Sequence, residues 1–158
     1  MINPSNFYNA LKTFGVDFFT GVPDSVLKEL SSFLQSANKK NHIIATNEGA
    51  AVSIGIGHYL STKKIPSIYM QNSGLSNALN PLISIAHEKV YSIPLILVIG
   101  WRGSPRVKDE PQHNVKGKIT EQILKLLNIE YTILRSISDL NKFDRQIKLA
   151  KKNKSIVA

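Results

Sequence analysis

Ile93-Pro94-Leu95-Ile96-Leu97-Val98-Ile99-Gly100 is the stretch whose reading decides the fold. From Leu95 to Ile99 every position is apolar, so neither face of this segment is written for water. A strand with one wet face alternates apolar and polar residues. A short continuous apolar run instead fits a strand buried on both faces of a parallel sheet. It is far below the roughly 20 residues a membrane-crossing helix needs. Parallel strands cannot be joined by hairpins and need crossovers, usually helical, so the flanking sequence should alternate helix and strand.

It does. Toward the N-terminus, Ile65 to Met70, His42 to Thr46 and Val16 to Thr20 read as a third, second and first strand. Phe7, Ala10, Leu11 and Phe14 fall at i, i+3, i+4 and i+7, one face of a helix that Pro4 and Ser5 start and Gly15 ends. Leu27, Leu30 and Leu34 mark the next helix, Asn38 to Asn41 a turn, and another helix begins near Gly49. Toward the C-terminus, Ile119, Ile123 and Leu127 give a helix, and Tyr131 to Leu134 and Ser155 to Ala158 a fifth and sixth strand. The expectation is an α/β fold: a six-stranded, mostly parallel sheet with helices on both faces, residues 1–158 forming one domain. Ending in Ser155-Ile156-Val157-Ala158, within a strand, is what a truncated chain or a subunit with a short last strand would show.

Right-handed crossovers place every strand's C-terminal end along one edge, where open α/β sheets bind ligands. Four loops converge there: Gly21 to Ser25, Asn47 to Ala50, Gln71 to Asn77, and Gly100 to His113. The stretch from Gly100 to Lys116 is the longest irregular one and carries the only tryptophan, Trp101, among many charges. Such loops are usually functional.

Composition narrows the function classes. The chain has 158 residues, 42% hydrophobic and 20% charged, enough for a real core. It has no cysteine, which excludes disulfides and thiolate metal sites and fits a cytoplasmic location. No apolar segment near Met1 to Thr13 resembles a signal peptide. The net charge of +9 admits nucleic acid, an anionic substrate or an acidic partner. Lys142, Arg145, Lys148, Lys151, Lys152 and Lys154 crowd the end of the chain and read as the wet face of a terminal helix. No aromatic-basic interleaving of the single-strand-binding kind is present. Neither nucleic acid nor membrane is an expected partner.

Three motifs follow strand ends in order: Gly21-Val22-Pro23-Asp24-Ser25, Asn47-Glu48-Gly49-Ala50-Ala51, and Met70-Gln71-Asn72-Ser73-Gly74-Leu75. With Gly100-Trp101-Arg102-Gly103 and Asp109-Glu110-Pro111-Gln112-His113, they resemble the pyrimidine-binding domain of thiamine-diphosphate-dependent 2-oxoacid decarboxylases. Within that group the resemblance is to phosphonopyruvate decarboxylases first and to sulfopyruvate decarboxylase α subunits next, over nearly the whole chain.

The resemblance implies thiamine diphosphate as cofactor and Glu48 as the acid that hydrogen-bonds the pyrimidine ring nitrogen. That bond favours the imino tautomer, which takes the thiazolium C2 proton. It also implies decarboxylation of phosphonopyruvate to phosphonoacetaldehyde and CO2. The sulfopyruvate enzyme's α subunit and a non-catalytic assembly module of the same fold are the alternatives. Glu48 alone would equally suit the first turn of a helix, where the macrodipole favours an acid.

Asp24 and Ser25 are candidates for the substrate side, Asp24 for proton relay, although both also suit N-capping. His113 is a candidate for donating to the keto oxygen or delivering a proton. Gln71, Asn72 and Ser73 are candidate cofactor contacts. Arg102, Arg106 and Lys108 would suit a phosphonate or sulfonate, since guanidinium forks pair with such oxygens. His42, His58 and His87 offer no metal spacing. The family's Gly-Asp-Gly segment with its asparagine pair, which carries the Mg2+ ligands, is absent, as is a P-loop. The diphosphate and Mg2+ are therefore expected on a partner domain or β subunit, in a homo- or hetero-oligomer, and the chain alone is expected to be inactive.

Overall fold

A computed structural model describes residues 2–105 and 107–158. Among them, helices α1 (Pro4–Thr13), α2 (Lys28–Ala37), α3 (Glu48–Thr62), α4 (Leu75–Pro81), α5 (Pro111–Leu126) and α6 (Leu140–Asn153) alternate with strands β1 (Phe19–Gly21), β2 (His42–Ile44), β3 (Ser67–Gln71) and β4 (Ile96–Gly100). The sheet runs β2-β1-β3-β4, every pair parallel. Gly21 stands opposite both Ile44 and Tyr69, and Gln71 opposite Gly100. The strand ends therefore open along a single edge.

Local chemistry sets the helix limits. The Asn3 side chain accepts from Ser5 N at 2.9 Å, and Pro4 occupies a first-turn position where its missing N–H costs nothing. Gly15, at φ +80°, turns the chain out of α1 in a conformation that other residues resist. Asn47 caps α3 by accepting from Ala50 N at 2.8 Å.

The doubly apolar reading of the central strands holds. Ile68, Met70 and Leu97 pack into a core under α3, α4 and α5, with Val52, Leu75 and Leu124. Their neighbours Tyr69 and Ile96 go to the other face, against Leu11, Leu34 and Phe143 from α1, α2 and α6. Two cores thus sandwich the sheet. The basic side chains from Lys142 to Lys154 are exposed, while Phe143, Ile147 and Ala150 anchor α6 inward. Among the described residues, no helix is long and apolar enough to cross a membrane.

Two expectations are corrected. The six-stranded sheet has four strands; the fifth and sixth segments join it only through the isolated bridges Glu130↔Val157 and Ile96↔Val157. Val157 alone pairs with both neighbours, and a ladder needs successive paired residues. Second, the long loop ends early, because Pro111 opens α5. His113 consequently sits in the first turn of that helix and not in a loop.

Candidate active site

Glu48 is the first residue of α3, half-buried, with its backbone held by the Asn47 cap. Its Oε2 accepts from Asn77 Nδ2, on the first turn of α4, at 3.0 Å. Gly74 lies directly against the rest of the carboxylate: a Cβ built there would collide with Glu48 Cγ, Cδ and Oε1. The packing continues at Gly49, where an added Cβ would stand 3.0 Å from Asn77 O. Two helix starts therefore clasp one carboxylate. No second hydrogen bond reaches it among the described residues.

Asp24 stands before α2, which covers the opposite face of the sheet from α3. Its Oδ1 accepts from Val26 N (2.6 Å) and Leu27 N (3.1 Å), capping the turn into that helix. Its carboxylate overhangs the end of β4, since a Cβ at Gly100 would stand 3.1 Å from both oxygens. Oδ2 is buried without a hydrogen-bond partner among the described residues.

The turn after β4 is tied down from several sides. Arg102 grips Asp109 with both prongs, Nε to Oδ2 at 2.7 Å and Nη2 to Oδ1 at 2.6 Å. Nη1 donates to Ser25 Oγ at 2.9 Å, joining this turn to the Asp24 loop. Asp109 also accepts from Gly103 N and Glu110 N, both at 2.9 Å. The Arg102 hydrogen bonds and these backbone amides hold its carboxyl far below the usual range, and Asp109 in turn raises Arg102. Asn72, 5% exposed, donates to Arg102 O and Thr120 Oγ1, each at 2.9 Å, and accepts from Arg102 N at 3.2 Å. Gly103, at φ +66°, abuts the His113 carbonyl, and Gly117 abuts the Gly103 carbonyl, so the turn lies flush on α5. Trp101 Nε1 seals the seam by donating to Gly117 O at 2.9 Å.

The sequence-derived candidates thus fall into separate groups. Ser25, Asn72 and Arg102 are knitted together; Glu48 is held by Gly74 and Asn77; Gln71 Nε2 donates to Ser73 Oγ at 2.7 Å. Glu48 and Asp24 share an edge but no hydrogen bond. The Asn72 amide and the Arg102 fork are engaged within the protein. Lys108 is exposed. His113 is half-buried with Nδ1 unpaired among the described residues. Arg106 lies outside the described residues. No group of three or more His, Asp or Glu able to hold a metal ion occurs among them.

Sequence reading misses the supporting residues. The motif that contains Gly74 is singled out, but not the packing of Gly74 against the Glu48 carboxylate or the Asn77 bond to it. Tyr69 and His42 escape it too: Tyr69 O–H meets His42 Nε2 at 2.8 Å, its ring passing over Gly21, where a Cβ would stand 2.6 Å from Tyr69 Cγ. Burial, then the nearby Asp24 charge, pushes Tyr69 up to about 12, and burial lowers His42.

Comparison with known proteins adds an independent line. A family model described as "Thiamine pyrophosphate enzyme, N-terminal TPP binding domain" matches residues 5–124. Phosphonopyruvate decarboxylase of Streptomyces viridochromogenes is 34% identical over 139 residues, covering 88% of this chain and 34% of that one. The chain therefore spans about a third of such relatives. Sulfopyruvate decarboxylase subunit alpha of Methanococcus maripaludis is 36% identical over 124 residues, 78% of this chain and 72% of that one. Among solved structures, benzoylformate decarboxylase from Polynucleobacter necessarius superposes with a TM-score of 0.71 at 19% identity, over 98% of this chain and 28% of that one. The Rhodococcus jostii RHA1 thiamine diphosphate-dependent 4-hydroxybenzoylformate decarboxylase gives 0.67 at 17%, over 99% of this chain and 29% of that one. These two likenesses show the α/β fold.

Proposed function

The chain belongs to the thiamine pyrophosphate enzymes, as an N-terminal TPP-binding domain, and on that premise we propose that it is the pyrimidine-side domain of a decarboxylase acting on a phosphonate- or sulfonate-bearing 2-oxoacid. The observation that carries this reading is the Glu48 carboxylate, clasped at Oε2 by Asn77 and walled by Gly74, with no hydrogen bond to Oε1 among the described residues. The cradle fits the family's aminopyrimidine: a glycine where any side chain would strike the carboxylate, at the sheet edge where α/β folds bind ligands. When bound, thiamine diphosphate supplies the electron sink for loss of CO2.

The chain's own residues then bind, orient and move protons. Glu48 shares a proton with the pyrimidine ring nitrogen through Oε1, while Asn77 fixes the carboxylate's plane. Asp24, with Oδ2 unpaired, accepts or returns a proton on the substrate side, and His113 is a second candidate donor through its unpaired Nδ1. Ser25 and Lys108 are the proposed contacts for the anionic tail, with Arg102 bringing the Ser25 loop to the β4 turn. Gln71 and Ser73 are proposed cofactor contacts. Asn72 serves the same loop from beneath, through its bonds to Arg102 and Thr120. A partner domain or β subunit supplies the diphosphate and Mg2+ site.

The relatives' names carry two substrates, phosphonopyruvate and sulfopyruvate. Both substrates should be offered to the chain co-expressed with a diphosphate-binding half, and the faster CO2 release assigns the acid. In that complex Glu48→Gln should lower kcat by roughly 10²–10⁴-fold, the usual contribution of a proton-transferring side chain. Full activity in that variant would sink the catalytic reading and favour an assembly module.

A further inference from the structure

Helix α5 is written for burial on two opposite sides. Gly117, Thr120 and Leu124 are buried on its inner side. At 3.6 residues per turn, the opposite side carries Val115, Ile119, Gln122 and Leu126. All four are exposed, Val115 at 64% and Leu126 at 85%, so no described part of the chain covers them. Single exposed apolar residues are ordinary, and the outer side of a surface helix is ordinarily polar. Here three of the four outermost positions are apolar, at successive spacings of four, three and four residues. That is the a/d stripe along which helices pack in a coiled coil, with Val115 and Gln122 at d and Ile119 and Leu126 at a.

The residues bordering the stripe state what fits it. In a coiled coil the e and g positions choose the partner by charge. Here they are Lys116, Lys118, Ile123 and Lys125, and the three lysines are exposed. None of the three is in an ion pair among the described residues. The only acid of α5, Glu121, is half-buried and accepts from Tyr131 O–H at 2.6 Å. A second copy of this helix is therefore a poor occupant. Packed antiparallel, it sets Lys118 and Lys125 against their own counterparts; packed parallel, it brings no carboxylate of α5 to any of the three. A membrane is a poor occupant too, because lipid-seated helices bury a broad apolar face that includes aromatic side chains. This stripe is one side chain wide and holds a glutamine.

We propose that the outer stripe of α5 docks one amphipathic helix of a partner protein, with glutamate or aspartate bordering that helix's own apolar stripe. From Val115 to Leu126 the contact runs over about three turns, roughly 17 Å. Gln122, in the middle of the stripe, fixes register by asking for a polar side chain opposite, as a lone polar core residue does in coiled coils. The net charge of +9 draws an acidic partner toward the chain before contact. The stripe contains none of the residues proposed for cofactor or substrate, so this is a second interaction surface and goes beyond the functional reading above.

The test titrates the full chain with two synthetic helical peptides, each with leucine at a and d and glutamine opposite Gln122. One carries glutamate at e and g, the other lysine. The glutamate peptide should bind about tenfold tighter or more, shift the backbone amides between Val115 and Leu126 in NMR spectra, and loosen as salt rises. Leu126→Ser should weaken it about tenfold. The double variant Lys118→Glu, Lys125→Glu should invert the preference between the two peptides. These residues are exposed, so each variant should keep its Tm within a few degrees, which separates lost docking from lost folding. Equal affinity for both peptides, an unchanged preference in the double variant, or wild-type binding by Leu126→Ser would overturn the proposal. So would adsorption to phosphatidylcholine–phosphatidylglycerol vesicles, or a dimer in sedimentation, that Leu126→Ser abolishes, since the stripe would then belong to lipid or to a second copy. None of these readouts depends on decarboxylation, so a failure here is distinct from a failure of the functional reading.

Discussion

Replacing Gly74 by alanine separates stability from chemistry in this molecule. The new methyl would strike Glu48 Cγ, Cδ and Oε1, the middle and end of a side chain that can swing away. Gly74 has φ −76° and ψ −12°, a conformation alanine adopts readily, and alanine gains up to about 1 kcal/mol of local preference over glycine there. Overpacking a tight site costs roughly 1–3 kcal/mol, less when a flexible side chain yields. Moving the carboxylate also breaks its 3.0 Å bond from Asn77, worth about 1 kcal/mol. These effects leave a net loss of about 1 kcal/mol, a Tm shift of a few degrees. The catalytic effect is of another order: a displacement of about 1 Å at a positioned group costs on the order of 100-fold in rate. Thermal melts of the variant, with steady-state rates of the reconstituted complex at saturating cofactor, test both halves. Wild-type kcat in a folded Gly74→Ala protein would refute the role given to Glu48, and a collapse of Tm would refute the claim that its side chain can yield.

Three further outcomes are expected from the geometry. Asp109 is held below its ordinary value of 3.8, so its contribution is present above that pH and is lost as pH falls further toward its folded value; Asp109→Asn should flatten the acid limb of a urea-stability profile, and an unchanged slope would count against the bidentate grip. His42 is lowered from 6.5 by burial, so below that pH the unfolded chain binds the proton first and stability falls as pH drops from 6.5 through the folded value. His42→Gln should reduce that loss in chemical-denaturation curves between neutral and mildly acid pH, and an NMR midpoint for His42 at or above 6.5 would contradict it. Asn72→Ala removes three hydrogen bonds from a buried junction and should cost roughly 2–4 kcal/mol by equilibrium unfolding; a loss under about 0.5 kcal/mol would show that the Arg102 turn is held by other means.

The parallel architecture was legible because Leu95 to Ile99 has no polar position, and period-2 burial on both faces leaves few other homes for such a segment. The expectation for Glu48 rested on its neighbours in sequence, Asn47 and Gly49, and the structure adds the Gly74 and Asn77 contacts that those neighbours do not announce. What escaped were pairings across the fold. Arg102 and Asp109 sit seven residues apart in what reads as irregular chain, and no periodicity announces a bidentate bond there. Tyr69 reads as one more core residue of a strand, and only the passage of its ring over Gly21 brings it to His42. The early start of α5 has a simpler origin: among charged neighbours Pro111 reads as a loop residue, although proline is at home in a helix's first turn.

The seam between Gly103 and Gly117 has a mechanical consequence. With only hydrogens between the Arg102 turn and α5, and Trp101 bonded across the joint, a side chain added at Gly103 or Gly117 would pry the turn off the helix. Arg102 and the Ser25 loop it holds would shift with it, so two glycines that touch no ligand set the shape of the site's rim.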